Sequence, residues 1–404
     1  MKHLKAVFNA LLGLLWILLA GVVAPVCAQE STIDTIPADP MDSVEISLLT
    51  CQPHDEVYSL YGHTAIRFHD RRKASAIDAA FNYGVFDFKK SFFVLRFVFG
   101  LTDYELGAYP YNLFLEEYRH LGCMVTEQVI NLTSEEKSQL REALGENLKP
   151  ENTIYRYNYF YNNCTTKARD IIERCISGKI EYADREGYTP TYREMVHEMT
   201  QKNPWAQFGN DLLLGIKADM KTNLRQQEFL PYNLMYDFDH AQIYENGQYR
   251  PLVKERRTAV PAGVQIRKEG FPLSPMACAI ILSVIALVIF LIEWKKRCAF
   301  VVWEVLLMVT TGIFGIILTL MLFSQHPTVS LNLQLILLNP LPWVFLWPVI
   351  RGKKTRYWHI TIVLCILFLI GSLFQSYAEG IWSLALCLLL QGILHTNRVR
   401  QHEK

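Results

Sequence analysis

The sequence predicts an α+β extracytoplasmic domain followed by an all-α bundle of five transmembrane helices. Three observations lead there. An apolar N-terminal leader marks the chain for export, residues 29–273 mix strand-period and helix-period segments, and apolar segments dominate from residue 274 onward. At 404 residues the chain has room for both parts, and its net charge of +1 offers none of the basic excess that holds nucleic acid.

In the leader, Lys2, His3 and Lys5 precede an apolar run from Ala6 to Ala24, and Val26-Cys27-Ala28 supplies a small-residue cleavage pattern. Residues 1–28 therefore read as a secretory signal cut after Ala28. An uncleaved anchor is the alternative, because the run is long, and either one exports the segment C-terminal to it. Of the nine cysteines, Cys27 leaves with the signal. Cys278, Cys298, Cys365 and Cys387 lie in apolar membrane segments, where cysteine behaves as a small hydrophobe. Cys51, Cys123, Cys164 and Cys175 fall in the exported domain, where an oxidising compartment permits bridges in three pairings. A working thiol among the four leaves at most one bridge.

The expected spans are Pro275–Ile292, Ala299–Phe323, Leu333–Ile350, Ile360–Phe374 and Ile381–Leu394. Lys295-Lys296-Arg297 follows the first, Arg351, Lys353, Lys354 and Arg356 follow the third, and Arg398, Arg400 and Lys404 follow the fifth. Ser324–Ser330 and Gln375–Gly380 carry no Lys or Arg. Positive loops stay in the cytoplasm, so residues 29–273 fall outside, in agreement with the leader. Glu304, Asn339 and Gln391 are polar groups inside spans, where they serve function or join helices. His326 and Asn332 sit at the outer mouth of the bundle, as contacts for a substrate at the leaflet surface or as ordinary loop polarity.

Within the exported domain, Val44–Leu49, Tyr61–His69, Ala79–Phe88, Met124–Leu132 and Thr153–Tyr161 read as strands. Tyr111–His120 looks helical, and Thr133 with Glu136 is a capping box opening a helix to about Leu148. Residues 185–250 read as helices packed on the core, and Ser91–Leu101, rich in Phe and Leu, as a core segment by default. In a domain held at a bilayer the latter segment is also suited to line an acyl-chain pocket or dip into the interface.

After Tyr161-Asn162-Asn163-Cys164, apolar residues Ala168, Ile171, Ile172, Cys175 and Ile176 recur at helical spacing. Cys164 thus stands at a helix start, with Asn162 or Asn163 as N-cap. There the helix dipole lowers a thiol's pKa, and free N–H groups are placed to hold an oxyanion. The matching base is His63, at the start of a strand in Gly62-His63-Thr64-Ala65-Ile66. Taken singly, each residue reads more simply as core; the conjunction points to a thiol enzyme.

Gly62-His63-Thr64-Ala65-Ile66 and Asn163-Cys164 resemble the permuted NlpC/P60 papain-like superfamily, which includes lecithin:retinol acyltransferase-like enzymes and in which the His strand precedes the Cys helix. Segments 46–51, 60–67, 81–84 and 157–164, then Phe229-Leu230-Pro231 and the membrane half, are similar to the Lnb-type lipoprotein N-acyltransferase family. The resemblance covers nearly the whole mature chain. It implies a periplasmic papain-like domain in the bacterial inner membrane. The implied reaction passes an acyl chain from a phospholipid, through a Cys164 thioester, to the N-terminal amine of a diacylated lipoprotein.

The orienting partner of His63 is expected on the returning strand, Asn82 first and Asp87 second, by analogy with papain-like sites. Arg67 is a candidate contact for a lipid phosphate, with a solvated strand residue as the plainer reading. No metal-ligand spacing is present, so no cofactor is expected. The alternative function is a periplasmic cysteine amidase or peptidase acting on cell-wall or peptide substrates.

Overall fold

β-branched and aromatic residues alternate along residues 44–51 and 63–70, and these pair as antiparallel strands β1 (Val44–Cys51) and β2 (His63–Asp70), with Cys51 opposite His63. The structure is a computed structural model, which describes residues 39, 41–72, 77–86, 92–265, 270–353 and 355–402. The expected signal, Cys27 and Asp87 lie outside the described residues. The remaining elements of the first part are β3 (Asp78–Val85), α1 (Phe93–Val98), β4 (Asp103–Pro110), α2 (Tyr111–His120), β5 (Val125–Ile130), α3 (Ser134–Asn147), β6 (Ile154–Arg156), α4 (Cys164–Arg174) and β7 (Lys179–Glu181). They continue with α5 (Tyr192–Thr200), α6 (Pro204–Leu213), α7 (Leu224–Gln227), α8 (Pro231–His240), β8 (Gln242–Glu245), β9 (Gln248–Pro251) and β10 (Val253–Val260).

Seven strands form one antiparallel sheet in the order β10-β5-β1-β2-β3-β4-β6, with β7-β8-β9 a separate small sheet. Both faces of the large sheet are covered. Ile46, Leu48, Ile66 and Phe68 pack with Leu140 of α3, Ile172 of α4 and Phe238 of α8; Leu49, Ala65 and Ala80 pack with Phe114 and Tyr118 of α2. The Thr133–Glu136 capping box is present with both of its hydrogen bonds.

Two expected elements come out differently. The strand expected over Thr153–Tyr161 stops at Arg156, because the Asn158 side chain accepts from the N–H groups of Phe160 and Tyr161 and turns the chain toward α4. Where Ser91–Leu101 is described it is no core segment: Phe92 is 79% exposed, and Leu95 and Phe97 are exposed as well. Its backbone is tied instead to the loop after the second apolar helix, where Gln325 N–H donates to the Phe99 carbonyl.

The helical second part comprises α9 (Pro275–Lys296), α10 (Val301–Met321), α11 (Leu341–Ile350), α12 (Tyr357–Gly371) and α13 (Trp382–His402). Two of these, and a third apolar stretch over Leu333–Ile350, are long and apolar enough to cross a membrane; the apolar stretches of the other two, Tyr357–Gly371 and Trp382–Thr396, are shorter. The third stretch is broken: a 3-10 turn over Leu333–Ile336 precedes α11, and the Asn339 amide serves the freed backbone groups, donating to Ile336 O and accepting from Leu341 N. Gln391 donates to Glu293, and His395 meets Glu304 at 2.8 Å, so the polar groups of the spans join helices to one another.

The two loops without Lys or Arg pack against the first part. Asn332 Nδ2 donates to Leu212 O at 2.8 Å, Gln334 Nε2 to Asp211 O at 2.8 Å and Gln375 Nε2 to Leu214 O at 3.1 Å. These amides satisfy the carbonyls at the end of α6, which its own helix leaves open. At Gly215 a side chain would meet Leu331 O at 2.3 Å, so only glycine permits this approach.

Candidate active site

The order of the sheet brings the start of β2 beside the start of α4. Gly62 makes the turn into β2 at φ +79°, with its Cα so close to β1 that a Cβ would stand 2.7 Å from Cys51 O. A glycine here is what sets His63 at the first strand position. On the other side, Asn163 is the N-cap of α4. Its side-chain oxygen accepts from Thr165 N and Thr166 N, both at 2.9 Å, and its amide donates to the carbonyls of Tyr159 and Phe229. The cap therefore fixes the helix start and the loop that delivers it. Thr64 and Thr165 then join strand to helix through their hydroxyls at 3.1 Å.

Cys164 and His63 line one cavity of about 400 Å³. Phe86, Tyr104 and Tyr157 form a stacked wall, with ring centroids 4.7 and 4.0 Å apart. Asn82 lines the cavity too, and its side-chain oxygen accepts from Gly84 N at 2.7 Å. Gly84 lies so close to the imidazole that a Cβ there would meet His63 Cε1 at 2.8 Å and Asn82 Oδ1 at 3.0 Å. His63 Nε2 is itself buried.

The electrostatics favour an ion pair. Burial works against charge on both groups, yet the attraction between them prevails: the His63 pKa is held above its ordinary value and the Cys164 pKa below it. Asn82 adds to the imidazolium's stability, and the Thr64 N–H and Thr165 hydroxyl to that of the thiolate. Cys51 is the contrast: there burial dominates and pushes the thiol far up. As first residue of α4, Cys164 has an N–H that no intrahelical carbonyl can receive. Among the described residues no cysteine is in a disulfide, Cys164 included. A half-buried thiol with these surroundings is suited to nucleophilic attack on an acyl carbon.

The structure brings Cys164, His63 and Asn82 together and sets the other three expected site residues apart. Arg67 is no free phosphate ligand: it pairs with Asp78 and Glu127 at 2.8 and 2.9 Å and covers the Tyr111 ring at 3.7 Å, inside the face of the sheet under α2. Asn332 is buried in the clamp on Leu212 and Gln375, so its amide is spent on holding the two parts together. His326 is buried against Phe97, with burial lowering its pKa, rather than open at the bundle mouth. Strand patterns do not reveal the partners of Arg67 and Asn332, because these come from β3, β5 and α6. Thr64, Gly84, Tyr104 and Thr165 also belong to the site and carry no local signal of it. Thr64 and Gly84 merely stand within segments that bear the family resemblance.

Comparison with known families supplies the context for this site. The family model of the Lnb N-terminal periplasmic domain matches residues 37–198, which contain the whole Cys164–His63–Asn82 cluster. That of the Lnb transmembrane domain matches residues 266–402. No curated protein and no solved structure matches the chain. With both of its parts matched in order, a periplasmic domain carrying a thiol–imidazole pair and a transmembrane domain behind it, this chain belongs to the Lnb family, whose function is of the lipoprotein N-acyltransferase type.

Proposed function

We propose that this protein transfers an acyl chain from a membrane phospholipid to the N-terminal amine of a diacylated lipoprotein, through a thioester on Cys164. The observation that carries the reading is the Cys164–His63 pair at the mouth of a helix in a chain whose last third is mostly apolar helix. Residues 1–28 serve as signal peptide, 29–273 as the periplasmic catalytic domain and 274–404 as a five-span bundle in the bacterial inner membrane, with the C-terminus in the cytoplasm.

In the first half-reaction His63 holds the thiol proton and the Cys164 sulfur attacks an ester carbonyl of the phospholipid. The Cys164 N–H and the positive end of α4 stabilise the oxyanion. The C–O bond breaks, the imidazolium returns the proton to the departing oxygen, and a lysophospholipid leaves. In the second, the uncharged α-amine of the lipoprotein attacks the thioester. His63 takes the amine's proton and gives it to the sulfur, which departs as a thiol, and the amide remains. Asn82 positions His63 throughout.

The test is purified full-length protein in vesicles with phospholipid and a diacylated lipopeptide. N-acylated lipopeptide together with lysophospholipid supports the reading. Cleavage of peptide or cell-wall fragments with no acyl transfer would replace it by the amidase alternative.

A further inference from the structure

Three cavities of the molecule share walls. The thiol cavity has Gln52 and His54 in common with a groove of about 720 Å³. That groove includes Trp205, which also lines a pocket of about 200 Å³ between α6, the first turns of α9 and α13 and the middle of α10. The pocket is apolar, lined by Phe208, Cys278, Leu282 and Phe314, with Glu379 also in its wall. Leu282 and Phe314 belong to helices apolar enough to span a membrane, so part of the pocket wall comes from candidate membrane spans. Trp205 is held at the junction: its indole N–H donates to Leu273 O at 2.7 Å and its ring packs on Phe208 and Phe271. By contrast, the cavity on the other flank of the thiol, which shares Asn82 and Gly84 with it, has among the described residues none from a membrane helix in its wall.

We propose that this series of cavities is the lateral route of the donor phospholipid. One acyl chain seats in the pocket against Phe208, Leu282 and Phe314, and the ester is led past Trp205 to Cys164. The described walls of the route carry both signs of charge, as a zwitterionic head group does: Lys202 lines the groove for a phosphate, and Asp55 and Glu198 of the groove, Glu56 and Glu117 of the thiol cavity and Glu379 of the pocket suit an ammonium. A diacylated lipoprotein brings an ammonium but no phosphate, so Lys202 finds an anionic counterpart only in the donor. The inference rests on the acyltransferase reading for the chemistry at Cys164, and on the cavity walls alone for occupancy of the pocket.

Occupancy is tested without turnover. Full-length protein carrying Cys164→Ala is placed in phosphatidylethanolamine vesicles containing the same lipid with a photoreactive diazirine in one acyl chain. After illumination, adducts are expected on the pocket walls around Trp205, Phe208 and Phe314. Cys278→Trp, which fills the pocket, should give about tenfold less adduct there, the effect of about 1.4 kcal/mol of lost binding, and Cys278→Ser should restore it. Adducts confined to outward-facing residues such as Val284 and Val302, which are 57% and 75% exposed, would overturn the route. So would pocket labelling by a diazirine-bearing diacylated lipopeptide in place of the phospholipid, which would give the pocket to the acceptor. Outward-only labelling of the variant, where the parent protein forms the Cys164 thioester from the same lipid, rejects the route alone. Pocket labelling of the variant, where the parent protein never forms the thioester, rejects the acyltransferase reading and keeps the route.

Discussion

At the scale of single residues, the chemistry depends on two side chains and the small groups that aim them. Cys164→Ser and His63→Ala are each expected to lower acyl transfer by several orders of magnitude, with the protein still folded in the membrane. Asn82→Ala is expected to cost less, about tenfold, because a positioning group contributes less than the nucleophile. Gly84→Ala separates positioning from folding: the new Cβ would press on the imidazole at 2.8 Å. A displacement of that kind is expected to cost up to about 100-fold in rate, while the melting temperature of the variant stays near that of the parent. The pair also predicts a pH dependence. The thiol's pKa is lowered and the imidazole's is raised, so each group favours the charged form of the other. Alkylation of Cys164 should therefore persist at pH values below the ordinary thiol pKa of about 8.5. In His63→Ala its midpoint should move upward, since the neighbouring positive charge is gone. An unmoved midpoint would mean that His63 does not share the proton.

Elements are legible in the sequence to the degree that their signals are local. The capping box at Thr133 and the Asn-Cys step at the start of α4 stand in a few consecutive residues, and both helices begin where those residues place them. Strands β4 and β10 have no such signal, because Asp103–Pro110 and Val253–Val260 are mixed in polarity and owe their state to pairing with β3 and β5. The same limit applies to α1: its Phe and Leu content is that of a core segment, and only the tertiary structure turns it outward, beside the loop at Gln325. Its position at the end of α10 predicts contact with lipid. Phe92→Trp in vesicles containing brominated lipids should show quenched fluorescence; a tryptophan that brominated lipid leaves unquenched would remove α1 from the membrane surface. For α4, Asn163→Ala removes the cap and two further hydrogen bonds. The loss of the cap alone is expected to cost about 1 kcal/mol, read by thermal melting.

On the scale of the whole molecule, the two parts and their order are plain from hydropathy and loop charge, but the way they are joined is not. His326 and Asn332 look like open polar groups in sequence because loop polarity is the same whether it faces water or caps a buried carbonyl. In the structure the amides of Asn332, Gln334 and Gln375 hold the end of α6, so the bundle is fastened to the helix that forms the wall of the proposed lipid route. A double change, Asn332→Ala with Gln375→Ala, takes one donor from each of the Leu212 and Leu214 carbonyls, which keep Gln334 and Arg193, and is expected to cost about 0.5–1.5 kcal/mol for each bond lost, seen as a lower melting temperature. Replacing residues 274–404 by one unrelated transmembrane helix is expected to abolish transfer even where the chimera is stable and membrane-bound. Full transfer by that chimera would reduce the bundle to an anchor.

The whole mechanism turns on Cys164 as carrier of the acyl group, and trapping that group tests it without intermediaries. Protein incubated with phospholipid and no lipoprotein is digested and mapped by mass spectrometry. One hydroxylamine-labile acyl adduct is expected, on the peptide containing Cys164, that disappears when diacylated lipopeptide is added and never forms in Cys164→Ser. N-acylated product made with no adduct on Cys164, or with the adduct on Cys51 or Cys123, would contradict the mechanism.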